Sequence, residues 1–333
     1  MSVLVTGASG FLGGRLAAML VGTGEQVTVL AREHADLRHL EPLPQAQVRV
    51  VRGGLTDAGP VAEVVRDATH IFHCAATSTD WERDEVYFRS NVQGTETLLR
   101  AAEQSAPKLK RFVHVSTTDV YGYPMVPCAE TAPLRDVGLP YNRTKILAEK
   151  AVWAAAKAGL PVSVVRPATI YGPRGKAFVT DIAELLRTRL MAHVAGGHAA
   201  GGFIYVDNAA EAMIAVAESA QTLGEAYNLS DGTGVSWRAY AEALADGLGY
   251  KRPWIDLPYV VAIALARTME APWKLRKSLP GRPLLTQHAV VLLARDQEFP
   301  IAKAQTAFGF APRIGFDEGM GRSVAWVKEQ AAV

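Results

Sequence analysis

Val3-Leu-Val-Thr-Gly-Ala-Ser-Gly-Phe-Leu-Gly13 decides how the rest of this chain is read. An apolar, β-favouring run from Val3 to Val5 breaks into glycines spaced three apart, Gly7, Gly10 and Gly13. Helix-favouring apolar residues follow from Phe11 to Leu20. A strand that turns at once into a helix presents free N–H groups and a positive dipole end at the turn, a ready site for phosphate. Gly7 permits the tight turn, Gly10 lets a pyrophosphate approach the backbone, and Gly13 lets helix and strand pack closely. Glycine turns alone are common; the strand before and the helix after make this a dinucleotide-binding turn rather than a plain structural one. The residues expected to line the dinucleotide here are Gly7, Ser9, Gly10, Phe11 and Leu12.

Outward from that turn, strand patterns recur near 2–5, 26–31, 47–51, 69–73, 110–115 and 161–166, with helical patterns between most of them. Such alternation predicts an α/β fold, a Rossmann-type doubly wound parallel sheet with right-handed crossovers and helices on both faces. After Pro167 the rhythm changes to glycine-rich loops (Gly196, Gly197, Gly201, Gly202) and helices with short strands. The expected division is a dinucleotide-binding domain over 1–166, with segments near 203–229 returning to it. Residues 167–333 are expected to be mainly a smaller substrate-binding lobe over the carboxyl ends of the strands, where open α/β sheets bind ligands.

Bulk properties narrow the function. The 333 residues carry 35 Lys and Arg against 33 acids, a net charge of +2 that argues against a nucleic-acid or membrane-surface footprint. Cys74 and Cys128 make no disulfide framework, and a strand beginning at about residue 2 leaves no room for a signal peptide, so a cytoplasmic setting is expected. The longest apolar run, Tyr259 to Ala266, is too short to span a bilayer. No integral membrane segment and no metal site are expected.

Several segments carry candidate chemistry. The second strand ends in Ala31-Arg32, where an acid would bind the adenosine ribose; a guanidinium binds a 2′-phosphate instead, so NADP(H) is expected over NAD(H). The alternative is a solvated surface arginine. His73-Cys-Ala-Ala-Thr77 closes the fourth strand with small residues, so a cofactor can lie against Ala75, Ala76 and Thr77. His73 itself reads as a core histidine satisfied by backbone. Asn91, in a helix over about 84–104, is expected to fix backbone or a water near the site.

His114-Val-Ser-Thr-Thr-Asp-Val-Tyr-Gly122 delivers hydroxyls to the sheet's carboxyl edge, and Pro140 opens a helix bearing Tyr141-Asn-Arg-Thr-Lys145. Positions i and i+4 share a helix face, so Tyr141 and Lys145 point into one space. A lysine ammonium about 4 Å away at an effective dielectric of about 20 contributes ~4 kcal/mol, roughly three pK units, enough to bring a phenol near neutrality. Tyr141 is therefore expected to exchange a proton with a substrate oxygen.

These pieces, with Asn91-Val-Gln-Gly94 and Arg166-Pro-Ala-Thr-Ile-Tyr-Gly-Pro173, make the chain resemble the extended short-chain dehydrogenase/reductase family over essentially its whole length. The resemblance implies a bound nicotinamide dinucleotide, hydride transfer at a C–OH or C=O centre, and Thr117, Tyr141 and Lys145 as catalytic residues. It further implies cofactor contacts at Asn91, Tyr141, Lys145, Pro167 and Ile170. Two departures stand out. Family members often carry Gly-Asp after the third strand, whereas Gly53-Gly54 here leaves adenine to backbone near Leu55. The Thr-Asp-Glu of sugar-nucleotide dehydratases is replaced by Thr117-Thr118-Asp119, which argues against water elimination.

Within the family, Phe203-Ile-Tyr-Val-Asp-Asn-Ala-Ala-Glu-Ala212, Gly224-Glu-Ala-Tyr-Asn-Leu229, Arg282-Pro-Leu-Leu-Thr286 and Phe308-Gly-Phe-Ala-Pro312 look most like the 3β-hydroxysteroid dehydrogenase-like branch. That implies interconversion of a secondary alcohol and a ketone on a largely apolar small molecule, steroid-like or hydroxy/keto acyl. A nucleotide-sugar 4-epimerase, with Arg174 and Lys176 on a diphosphate, and an NADP(H)-sensing module are the alternatives. The apolar cluster from Trp254 to Met269, before the basic stretch Lys274 to Lys277, reads as an apolar entrance, a membrane-surface contact or a packing helix. Apolar residues beyond one stripe of two neighbouring helices (Val86, Leu98 and Ala102; Ile146, Val152 and Trp153) point, with the resemblance, to a homodimer through a four-helix bundle.

Overall fold

The computed structural model describes residues 2–276 and 279–331. In its first half β1 (Ser2–Thr6), α1 (Phe11–Gly22), β2 (Gln26–Ala31), β3 (Val48–Arg52), α2 (Ala58–Val65) and β4 (His70–His73) alternate. Next come α3 (Asp84–Tyr87), a π-helical turn (Phe88–Gln93), α4 (Gly94–Ser105), β5 (Arg111–Val115), α5 (Pro140–Lys157) and β6 (Val162–Pro167). The expected strands are all present, within a residue or two of their predicted ends. The one helix predicted near 84–104 is instead two α-helical pieces joined through the π turn, which seats Asn91.

The later chain gives β7 (Thr169–Tyr171), α6 (Asp181–Arg187), β8 (Ala192–Val194), β9 (Phe203–Tyr205), α7 (Val206–Glu218) and β10 (Ala226–Leu229). It ends in α8 (Trp237–Leu248), β11 (Ile255–Leu257), α9 (Tyr259–Leu275), α10 (Gln287–Ala294), α11 (Ala302–Phe308) and α12 (Phe316–Ala331).

Seven strands form one parallel sheet in the order β10-β6-β5-β4-β1-β2-β3. Strand order reverses at β1, between β2 and β4, which makes the carboxyl ends of β1 and β4 the switch point where such sheets bind ligands. On one face α1 and α7 bury Leu16, Leu20, Met213 and Val216 against Val3, Val5 and Phe72. On the other, α2, α4 and α5 bury Val61, Leu98 and Val152 against Leu4, Ile71 and Phe112. The short strands pair as β7·β9 and β8·β11 outside this sheet, and a separate aromatic cluster of Tyr171, Phe203, Trp237 and Tyr240 fills the space around β7·β9.

Helix α5 is tied to the sheet by a buried ion pair. Glu149, fully buried, meets Arg166 of β6, itself buried. Ser116, just after β5, donates to Glu149 Oε2 at 2.6 Å, and Trp153 Nε1 donates to Oε1 at 3.1 Å. Arg166 also donates to the Tyr121 hydroxyl at 2.7 Å, and that hydroxyl donates to Asn228 Oδ1 of β10 at 2.7 Å.

One sequence expectation needs correction. Leu98, Ala102, Ile146 and Val152 are not a free apolar flank, since none is more than 5 % exposed. Leu98, Ala102 and Val152 fill the space between α4, α5 and the sheet, Ile146 packs with Val120, Tyr121 and Phe299, and Val86 and Trp153 are half-buried; the outward apolar residues of this region are Phe88 and Leu147. In α9, Ala262 and Ala266 pack against Val290 of α10, while Val260, Val261 and Leu265 face outward. Among the described residues no helix is long and apolar enough to cross a membrane; Lys277, the end of the basic stretch, lies outside the described residues.

Breaking the buried pair should be expensive because it strands a charge. Arg166→Met is expected to cost about 3–5 kcal/mol of stability, read as a lowered urea midpoint, whereas the double variant Glu149→Leu/Arg166→Met should recover most of it. An Arg166→Met protein with an unshifted midpoint would contradict this.

Candidate active site

The glycine turn lies at the switch point. Gly7 has φ +74°, and a Cβ there would come within 2.6 Å of the Ala75 nitrogen at the end of β4, so only glycine fits. A Cβ on Gly13 would lie 2.5 Å from the Gly7 carbonyl oxygen, which is the close strand–helix packing expected. Gly10 is the N-cap of α1 and no side chain caps that end. The unpaired N–H groups of Phe11 and Leu12, with Ser9 beside them, fit a dinucleotide's pyrophosphate.

His73 is a core histidine, as expected, but hydroxyls satisfy it rather than backbone. Nδ1 lies 2.8 Å from Thr6 Oγ1 and Nε2 lies 2.9 Å from Thr95 Oγ1, and burial pushes its pKa down to about 3. Thr6 Oγ1 also accepts from Ala75 N at 3.3 Å. Asn91 fixes backbone: Oδ1 accepts from Thr77 N at 2.7 Å, and Nδ2 donates to Thr77 O and to Thr144 Oγ1, both at 3.1 Å. The small-residue wall Ala75, Ala76 and Thr77 is thus anchored to α5. Leu55 lies against Gly94, where a Cβ would meet it at 3.0 Å. Asp57 bonds the Gly54 nitrogen at 2.7 Å, so an acid stands three residues beyond the place where the resemblance would put one. Pro167 ends β6 and Ile170 sits in β7, the two strands that follow one another past the site.

Arg32 is exposed at the end of β2, and its carbonyl accepts from Arg52 Nη1 at 3.1 Å. A second guanidinium that the sequence reading missed therefore borders the ribose end of the groove. Arg174 also sits on this side. Its Nη1 would touch a Cβ on Gly14 at 2.9 Å, next to His39, and His39 Nε2 bonds the Ala8 carbonyl at 2.9 Å. Lys176 pairs with Asp181 at 2.7 Å.

The chemical residues converge as expected. Tyr141, Lys145 and Glu149 follow one another every four residues on one face of α5. Thr117, buried after β5, hydrogen-bonds the Tyr141 side chain. Lys145 is buried, and its Nζ donates to the Val115 carbonyl at 2.7 Å. Desolvation pulls its pKa down to about 8, against a supporting charge from Glu149.

One expectation fails here. Tyr141 is raised well above the ordinary phenol value, first by burial and then by the Asp119 carboxylate, with the Thr117 bond opposing. The Lys145 ammonium is bonded to the end of β5 instead, and it is not among the groups that shift this phenol. Both burial and the carboxylate favour the protonated phenol.

Residues that no motif marked enclose this group. The Tyr141 ring has Tyr87 6.3 Å away, tilted at 50°, and His288 stacked on it at 5.8 Å and 24°. Tyr123 O–H donates to Asp119 Oδ2 at 2.7 Å, and His288 Nε2 lies 2.7 Å from that hydroxyl and 3.2 Å from the same carboxylate oxygen.

A family model described as NAD dependent epimerase/dehydratase family matches residues 3–230. The chain is 32% identical over 323 residues to a 4-hydroxy-2-methyl-3-oxo-4-farnesyl-3,4-dihydroquinoline-1-oxide ketoreductase of Stigmatella aurantiaca, covering 96% of this chain and 95% of that one. It is 31% identical over 334 residues to a 2-alkyl-3-oxoalkanoate reductase of Stenotrophomonas maltophilia, covering 97% and 98%. Among solved structures, a UDP-glucuronic acid 4-epimerase from Bacillus cereus in complex with NAD superposes with a TM-score of 0.79 over 99% of each chain at 20% identity, a likeness of fold.

The depressed Lys145 pKa sets a sign for stability. Between about 8 in the folded chain and 10.5 unfolded, the unfolded chain holds a proton that the folded one has released, so this lysine makes stability rise with pH. Lys145→Met should raise the urea midpoint at pH 7 and flatten that rise. An unchanged slope between pH 8 and 10.5 would refute the assignment.

Proposed function

The chain belongs to the NAD dependent epimerase/dehydratase family, an NAD(P)-dependent enzyme of the short-chain dehydrogenase/reductase type, and we propose that it reduces a ketone on a largely apolar substrate to the secondary alcohol, using NADPH in preference to NADH. The protonated Tyr141 beside Thr117, with Asp119 behind it, carries this reading. A phenol kept protonated is the state that ketone reduction consumes and alcohol oxidation produces. The two similar reductases support the direction and the substrate class, since their names describe oxo groups on molecules bearing farnesyl or alkyl chains.

Thr117 and Tyr141 grip the carbonyl oxygen, and Tyr141 O–H gives it the proton as the oxygen gains charge. Lys145, fixed at the end of β5, is placed to hold ribose hydroxyls. When bound, the nicotinamide supplies the hydride, whose electron pair forms the new C–H bond. Asp119 favours the protonated phenol and so favours reduction. The NADPH preference rests on Ala31-Arg32, with no acid at that strand end, and on Arg52 beside it.

Two measurements test this. Tyr141→Phe is expected to lower kcat for an apolar ketone by about 10² or more while dinucleotide binding, followed by fluorescence, stays nearly intact; wild-type turnover in that variant would sink the mechanism. NADPH should bind more tightly than NADH, and Arg32→Ala should weaken NADPH binding by about ten- to a hundredfold, the scale of a charge-assisted contact of roughly 1.5–3 kcal/mol. Equal affinities in the unmodified protein would overturn the preference.

A further inference from the structure

The group stacked on the proton donor comes from 147 positions further along the chain (288 − 141). His288 is buried in the first turn of α10. A proton on Nε2 satisfies both oxygens within its reach, the Tyr123 hydroxyl at 2.7 Å and Asp119 Oδ2 at 3.2 Å, while Tyr123 donates to the same carboxylate. The ring is thus fixed along its edge, and its face is left for Tyr141.

The start of α10 is itself held from three directions. Thr286 accepts from Ala289 N at 3.0 Å as the N-cap and donates to Asp80 Oδ2 at 2.8 Å. Arg282 pairs with Asp80 through both guanidinium ends, each at 2.7 Å. Glu270 of α9, buried, accepts from Gln287 N at 2.6 Å. Asp80 lies in the loop after β4, the loop that carries Thr77. The segment 282–288 is therefore latched onto the rim of the dinucleotide groove, and His288 is the side chain that this latch delivers to the reacting phenol.

We propose that His288 is a positioning residue for Tyr141: it holds the phenol ring in the orientation that faces Thr117, so the catalytic arrangement is complete only when 282–288 is seated on the loop after β4. The inference rests on the reading of Tyr141 as proton donor. A ring free to swing about χ1 and χ2 spends part of its time with its hydroxyl off the carbonyl oxygen, and misplacement of this order is costly in the transition state more than in binding.

The test compares His288→Ala, His288→Phe and Tyr141→Phe in one ketone-reduction assay with NADPH. His288→Ala should lower kcat at least tenfold with KM for the ketone and dinucleotide affinity changed less than threefold. His288→Phe keeps a flat face against Tyr141 and should recover kcat to within about threefold of wild type. A general loss of structure would move KM, dinucleotide affinity and melting temperature together and would not be rescued by phenylalanine. Wild-type kcat in His288→Ala, or equal losses in the alanine and phenylalanine variants, would overturn the positioning role. Should His288→Ala fail to fold, Tyr123→Phe removes the nearer of the two oxygens that anchor Nε2; it should lower kcat in the same sense, and wild-type kcat there would overturn the proposal. If Tyr141→Phe also kept its rate, the reading of the reaction would fall; if only the His288 variants did, the positioning role would fall alone.

Discussion

The buried pair between Glu149 and Arg166 is the constraint on which the site depends. Glu149 lies one helical turn beyond Lys145 and two beyond Tyr141, on the same face of α5. Fixing it to β6 through Arg166, and to the end of β5 through Ser116, sets both the rotation and the height of that helix over the sheet. The Lys145 ammonium then reaches the Val115 carbonyl, and the Tyr141 ring comes beside Thr117. An apolar contact would hold the helix down with similar energy but would leave its rotation softer. A charged, hydrogen-bonded pair in low dielectric tolerates little displacement.

The parts of this arrangement legible in the sequence are the local ones. The glycine turn is written in three residues whose roles are steric, and Gly7 and Gly13 meet backbone where that reading put it. The i, i+4 spacing of Tyr141 and Lys145 follows from helix geometry alone. What failed depends on contacts that no spacing encodes. The lysine was expected to act on the phenol, but its head is drawn to a carbonyl of another strand, and burial then decides the phenol's state. Leu98, Ala102 and Val152 looked surplus to one apolar stripe, yet they are buried where α4, α5 and the sheet meet, and Ile146 is buried against Val120, Tyr121 and Phe299. Arg174 follows a motif near the substrate lobe, and a left-handed backbone at φ +70° swings it back over the first turn of α1. His288 lies two residues beyond a stretch noted only for its likeness to relatives, Arg282 to Thr286, and its meeting with Asp119 spans 169 positions.

The electrostatics of Tyr141 differ from the simple picture of a phenol lowered by the lysine one turn away. Charge attraction from a lysine favours a phenolate and suits either direction of the reaction. Here the nearest strong influence after burial is a carboxylate, which favours the protonated form. Asp119 is itself held by Tyr123 and His288 rather than offered to a substrate, so its effect on Tyr141 is that of a fixed neighbouring charge. This differs from the paired acids of water-eliminating relatives, and it follows from Tyr123 and His288 occupying the carboxylate.

Strand β10 has a consequence for how the chain reaches this state. It supplies the edge of the large sheet from residues 226–229, and α7 and Ala304 of α11 complete the core on that face. A chain emerging from the ribosome has made β1 to β6 long before β10 exists. Until then β6 is an open edge, with its ladder groups unpaired and the apolar face above it uncovered. The sheet is complete only once residues 226–229 are in place, through a pairing of long sequence separation.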